Sequence, residues 1–193
     1  MSKIERRNLI LTSAARLFAS RRFDEVLMDD IAREAGVAKG TLYSYFPDKE
    51  ELYFAVVFEG ISSLNEQLHQ EAQGQAAPEE ALRRMLHSLV AFLWQNRFFF
   101  KLMSIEDSKS EGGRGTNRRR WHEERQRQME AIQAVLRSGA EQGAFDIRHL
   151  QTEAHILRDM VRSVLQCREA GLDADGMVDV VMRIFLRGVS RGS

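Results

Sequence analysis

IAREAGVAKGTLYSYF, from Ile31 to Phe46, decides how the chain is read. Ile31, Ala32 and Ala35 lie on one side of a short amphipathic helix that runs into Gly36. Glycine adopts, without steric cost, the left-handed conformation that ends one helix and turns the chain. A second short helix follows at once. Two helices joined by a tight turn containing glycine form the helix-turn-helix pattern. Where that pattern binds DNA, the second helix lies in the major groove.

At about 100° per residue, Ala38, Leu42 and Phe46 share one face of the second helix, which is expected to pack on the first. Gly40 and Ser44 point away from that face, with Lys39 and Tyr43 on one flank and Thr41 and Tyr45 on the other. The outward face thus has small residues at its centre and donors around it. Small residues let a helix approach a groove floor closely. Hydroxyls and an ammonium suit phosphate oxygens, and the Thr41 methyl suits a thymine methyl. The plainer alternative is a helical corner with exposed tyrosines.

The stretch AARLFASRRFDEVLMDDIAREAGVAKGTLYSYFPDKEELYFAVV, most densely GVAKGTLYSYFPDKEEL from Gly36 to Leu52, resembles the TetR family of bacterial transcription regulators. The resemblance extends over residues 7–58 and covers the DNA-binding domain of that family. It implies that Lys49 reaches the DNA backbone, and that the other part of the chain holds a small-molecule effector whose binding alters the spacing of two DNA-reading heads. One departure stands out. The family usually has Thr or Ser near the start of the helix that begins at Met28, and Leu27 and Met28 stand there instead. Asp29 and Asp30 suit the positive end of the helix dipole, but would repel a phosphate that they faced.

The bulk properties narrow the class. The chain has 193 residues, with 28 basic and 28 acidic side chains. That balance argues against a generally basic nucleic-acid binder, so charge must be arranged locally. A single cysteine, Cys167, excludes an intrachain disulfide, and a reducing cytoplasm is the simplest setting. No apolar run reaches transmembrane length, and MSKIERRNLI has no signal-peptide core. No membrane partner is expected.

Apolar periodicity predicts an all-α chain of about nine helices. The first, from about Lys3 to Ser20, buries Ile10, Leu11, Ala14, Leu17 and Phe18. Arg6 and Arg7 near its start either reach phosphates or form a solvated helix end. Asp48 is expected to cap the fourth helix, with Glu51 completing the pair, and Lys49 lies in its first turn. EAQGQAAPEE marks a connection, and Pro78 suits the first position of a fifth helix. Phe98, Phe99 and Phe100 open a short, very apolar sixth helix. SKSEGGRGTN is loop-like but lacks the features of a phosphate-binding loop. Arg118, Arg119 and Arg120 lead the seventh helix. The last two helices run from about Leu150 to Ala170 and from Ala174 to Ser190. The final one is apolar over most of its circumference, which calls for cover on two sides. A second copy of the chain would supply one side, giving a two-fold dimer on a four-helix bundle.

No catalytic set emerges, so an enzyme is not expected. Cys167 lies on an apolar flank, the five histidines have no tight ligand spacing, and neither a metal nor another cofactor is expected. The expected architecture is an N-terminal three-helix DNA-binding domain over residues 1–47 and a helical effector-binding and dimerisation domain over 48–193. Candidate DNA contacts are Lys39, Gly40, Thr41, Tyr43, Ser44, Tyr45, Lys49, Arg6, Arg7 and Met28. Candidate effector contacts are His87, Trp94, Phe98, Phe99, Glu106, Arg119, Trp121, His122 and Arg158. Candidate dimer contacts are Leu157, Val161, Val164, Met177, Val181, Ile184 and Phe185. The expected function is a homodimeric, ligand-released repressor on a palindromic duplex operator. The alternative is a helical small-molecule carrier or sensor without DNA binding.

Overall fold

The computed structural model describes residues 2–96, 116–167 and 172–189, with the backbone alone for 116–118. Among these residues there are eight α-helices and no strand. They are α1 (Lys3–Ser20), α2 (Met28–Glu34), α3 (Lys39–Tyr45), α4 (Lys49–Gln73), α5 (Pro78–Gln95), α6 (Thr116–Glu141), α7 (Leu150–Gln166) and α8 (Ala174–Val189). The helix expected to begin at Phe98 lies outside the described residues. Two compact units result, one built on Met1–Ile61 and the other on Ser62–Arg97 with Arg119–Ser193.

In the first unit, the Ser2 hydroxyl accepts from the Glu5 amide at 3.1 Å and the Glu5 carboxylate accepts from the Ser2 amide at 2.7 Å. This reciprocal pair satisfies donors left over at the start of α1. Ile10, Leu11, Ala14, Val26, Met28, Ile31, Ala32, Ala35, Leu42, Phe46 and Leu52 form one core. Leu52 belongs to α4, and Ala55 and Val56 also pack on this core, so the opening of α4 is part of the unit. The Asp48 carboxylate accepts from the Glu51 amide at 2.8 Å, as a helix cap should.

The turn at Gly36 is a Schellman motif. The Val37 amide donates to Ala32 O at 3.0 Å and the Gly36 amide to Arg33 O at 3.1 Å, with Gly36 at φ +62°. Both bonds occupy carbonyls that the end of α2 would otherwise leave open. The helix-turn-helix therefore rests on backbone hydrogen bonds local to the turn.

The second unit has its own core, drawn from Leu64 and Leu68 of α4 and from α5, α6, α7 and α8. Helices α5, α7 and α8 pack against one another. This arrangement corrects the expected dimer contacts. Leu157, Val161, Val164, Met177, Val181 and Phe185 are buried within their own unit, and of the seven only Ile184 is exposed, at 54%. Because α8 is packed by both α5 and α7, one chain covers most of its apolar circumference. Ile156 of α7, 51% exposed, and Ile184 of α8 are the large apolar side chains that stand outward on these two helices, while half-buried Met160 and Val180 pack against the core.

Candidate DNA-reading face

Helix α3 presents Lys39, Gly40, Tyr43 and Ser44 to solvent, while Thr41 and Tyr45 are half-buried. Leu42 and Phe46 fix it to the core. Ala38 departs from the expected inward set: it precedes the first turn in extended conformation, φ −66° and ψ 146°, and is exposed. Helical spacing does not govern a residue outside the helix. A Cβ on Gly40 would meet nothing within 4 Å, so packing inside the protein does not require glycine there. In a helix of seven residues, glycine costs about 0.5–1 kcal/mol relative to alanine. Open space above Gly40 leaves close approach by an outside partner as its physical rationale.

The polar groups around Gly40 already have internal partners. Lys39 Nζ lies 2.7 Å from Asp29 Oδ1 and 3.0 Å from Oδ2. The hydrogen bond to Asp29, and then the charge of Asp29, hold the Lys39 ammonium above the usual lysine value. Ser44 Oγ donates to Thr41 O at 2.6 Å. The Tyr45 hydroxyl donates to Lys3 O at 3.3 Å, tying the end of α3 to the start of α1. Tyr43, 41% exposed, is the large aromatic that stands outward on α3.

Three expected contacts are placed differently by the structure. Met28 is 8% exposed and belongs to the core; the first residue of α2 turns inward while Leu27, 58% exposed, takes the outer place. Its side chain is therefore not available to DNA. Lys49 Nζ donates to Phe23 O at 2.8 Å and Val26 O at 2.9 Å, and sits 4.5 Å from the centre of the Phe23 ring. This ammonium holds together the connection between α1 and α2. Arg7 lies over the Phe46 ring at 5.7 Å and 3.8 Å from Glu59. Arg6 is half-buried near the same helix start.

Sequence spacing alone missed the Lys39–Asp29 pair, because ten positions and a turn separate the partners. It also missed the use of Lys49. The signal available was a lysine in the first turn of a helix, where it opposes the dipole; two carbonyls and a ring supply the compensation.

Among the expected effector contacts, Phe98, Phe99 and Glu106 lie outside the described residues. His87, Trp94, Arg119 and His122 are exposed, whereas Trp121 is buried and Arg158 half-buried. His87 faces Asp175 at 3.1 Å, Arg119 faces Glu123 at 3.4 Å and Arg158 pairs with Asp159 at 2.9 Å. These groups do not converge. A cluster absent from the expected set does: Asn65 of α4, fully buried, donates from Nδ2 to Glu124 O at 2.9 Å and Glu124 Oε2 at 2.8 Å. Asn65 Oδ1 is buried with no hydrogen-bond partner among the described residues. Arg127 reaches Glu124 Oε2 and Ser62 Oγ, each at 3.4 Å. Among the described residues, no three His, Cys, Asp or Glu side chains could hold a metal ion, and no helix is long and apolar enough to cross a membrane.

Residues 10–56 match the family model described as bacterial regulatory proteins, tetR family. The match lies in the helix-turn-helix region and is what this chain shares with the TetR family. The matched span contains α2, the Schellman turn and α3. The chain is similar to the HTH-type transcriptional activator FasR of Mycolicibacterium smegmatis, with 30% identity over 107 residues, 55% of this chain and 49% of that one. The chain thus spans about half or less of the length of the curated relatives it matches. Solved structures extend the TetR-family likeness to both units. The TetR-family regulator PfmR of Thermus thermophilus aligns with TM-score 0.67 and 25% identity over 94% of this chain and 99% of that one. A transcriptional regulator from Saccharomonospora viridis, solved in complex with choline, aligns with TM-score 0.78 and 20% identity over 98% of this chain and 100% of that one. The relatives are named as transcription regulators, and the all-helical TetR fold is that of this chain.

Proposed function

We propose that the protein is a ligand-responsive DNA-binding regulator that acts as a homodimer on a roughly palindromic operator, as a repressor released by a small-molecule effector. The observation that carries this reading is the outward face of α3, with Gly40 open to solvent and ringed by Lys39, Thr41, Tyr43 and Ser44. Thr41, Tyr43 and Ser44 read base edges or their surroundings, while Lys39, Tyr45 and Arg6 position the backbone. Lys49 and Arg7 hold the shape of the head that presents α3. The match of residues 10–56 to the family model supports the same reading.

The homodimer uses the outward faces of α7 and α8, with exposed Ile156 and Ile184 at their centres. Gly188, whose Cβ position is open, lies one turn beyond Ile184 on α8. Arginine at both 156 and 184 is expected to give a folded monomer by sedimentation. The effector contacts Trp121, Asn65 and Glu124 in preference to the outward His122 and Arg119, because a buried amide oxygen without a donor has something to gain from one. The site of action is the cytoplasm.

Selecting bound sequences from a random duplex pool with the purified protein tests the core of this reading. Enrichment of a two-fold-symmetric sequence, bound less tightly as salt rises, is the expected result. Tyr43→Ala should weaken binding to the selected sequence more than to random duplex. A protein that enriches nothing and shows no salt-dependent binding would instead be a helical carrier. Compounds that raise the melting temperature and release the selected duplex would identify the effector. Transcription in vitro from a promoter containing that sequence fixes the sign.

A further inference from the structure

The first unit holds nine basic and ten acidic residues between Ser2 and Ile61. Duplex-binding domains usually carry the opposite imbalance. Many of its cations are internally paired: Arg16 with Glu34 at 3.3 Å, Arg21 and Arg33 with Asp30 at 3.3 and 3.1 Å, Arg22 with Asp24 at 3.2 Å. Lys39 differs from these in standing on α3 itself, whose sequence KGTLYSY has no other charge. Its partner Asp29 comes from the first turn of α2, and contacts it through both carboxylate oxygens.

We infer that Asp29 is an internal competitor for phosphate. In the free protein it occupies the one cation of α3; on DNA, Lys39 exchanges this carboxylate for a backbone phosphate. The inference rests on the DNA-reading role proposed for α3. Both side chains are largely exposed, 61% for Lys39 and 53% for Asp29, so neither is locked by burial, and exposed pairs of this kind contribute little to stability. The exchange is therefore easy in one sense and penalised in another. Once Lys39 holds a phosphate, the Asp29 carboxylate remains within roughly a Debye length of it, about 10 Å at 0.1 M salt, and repels it.

The penalty falls on every duplex alike, because phosphates carry no sequence information. A constant taken from every binding free energy weakens retention on random DNA and on an operator by the same factor and leaves their ratio unchanged. Asp29 thus sets how tightly the head holds any duplex, without touching a base.

The full chain with Asp29→Asn tests this, using a short fluorescein-labelled duplex of random sequence across a salt series. Coulomb repulsion at several ångströms in a water-like medium predicts binding tightened by about 3- to 10-fold near 0.1 M salt. The slope of log K against log salt should steepen by up to about 0.9. Lys39→Ala should abolish the gain from Asp29→Asn when the two are combined. Glu34→Gln, which removes the same charge from another exposed ion pair, should change affinity less than about twofold. Asp29→Ser provides a second variant if the asparagine disturbs folding by circular dichroism.

Unchanged or weaker binding in both Asp29 variants overturns the inference. So does an equal gain from Glu34→Gln, which would make bulk charge the cause, or a gain that survives without Lys39. A wild-type chain with no salt-dependent binding would instead remove the DNA-reading role itself. That failure is distinct from a wild-type protein that binds and an Asp29 variant that merely matches it.

Discussion

Replacing Lys49 by alanine separates a structural lysine from a phosphate contact. Its ammonium donates to Phe23 O and Val26 O and lies over the Phe23 ring. Hydrogen bonds from a charged donor contribute about 1.5–3 kcal/mol each, and a partly exposed cation over a ring adds about 0.5–1 kcal/mol. Water can reach carbonyls released from a partly buried site, so the net loss should be smaller than the sum, about 2–4 kcal/mol. If the chain unfolds as one, this corresponds to roughly 2–4 °C for each kcal/mol lost. The first unit should melt earlier, and amides between Phe23 and Val26 should exchange faster with solvent. Urea unfolding followed by circular dichroism, with hydrogen exchange read residue by residue, measures both effects. Lys49→Met keeps the stem that packs beside Phe23, and should recover part of the loss without restoring the donors. Below its melting transition, the alanine variant should retain the wild-type salt slope of DNA binding. Wild-type stability combined with a slope reduced by about 0.9 would refute the internal role and restore a direct phosphate contact.

Other substitutions probe the turn, the reading face and the second core. Gly36→Ala forces a side chain into φ +62° and should cost about 1–2 kcal/mol in urea unfolding. Gly40→Ala meets open space, so the helix should gain about 0.5 kcal/mol while affinity for the selected operator falls; a gain in both would remove the close-approach argument. Gly139→Ala would put a Cβ 2.1 Å from Phe145 Cδ2, and overpacking of this kind should cost about 1–3 kcal/mol by thermal unfolding.

The helix-turn-helix was legible because its causes are local. Gly36, the apolar residues on either side and the two backbone hydrogen bonds of its turn lie within a few positions of one another, and so does the Asp48 cap of α4. The outward places of Gly40, Tyr43 and Ser44 follow from helical spacing for the same reason. Ala38 was misplaced where that spacing stops, at the end of the helix.

What the sequence determined by itself is therefore the all-helical class, the turn and the composition of one exposed face. Only the tertiary structure decided what occupies each charge and each apolar face. Lys39 meets Asp29, and Lys49 meets the carbonyls of Phe23 and Val26, across turns that no periodic pattern spans. The face of α7 and α8 expected to meet a second chain is filled from within, because α5 packs on both helices. Periodicity reports that a side chain is turned away from water; it carries no record of which neighbour turns the water away.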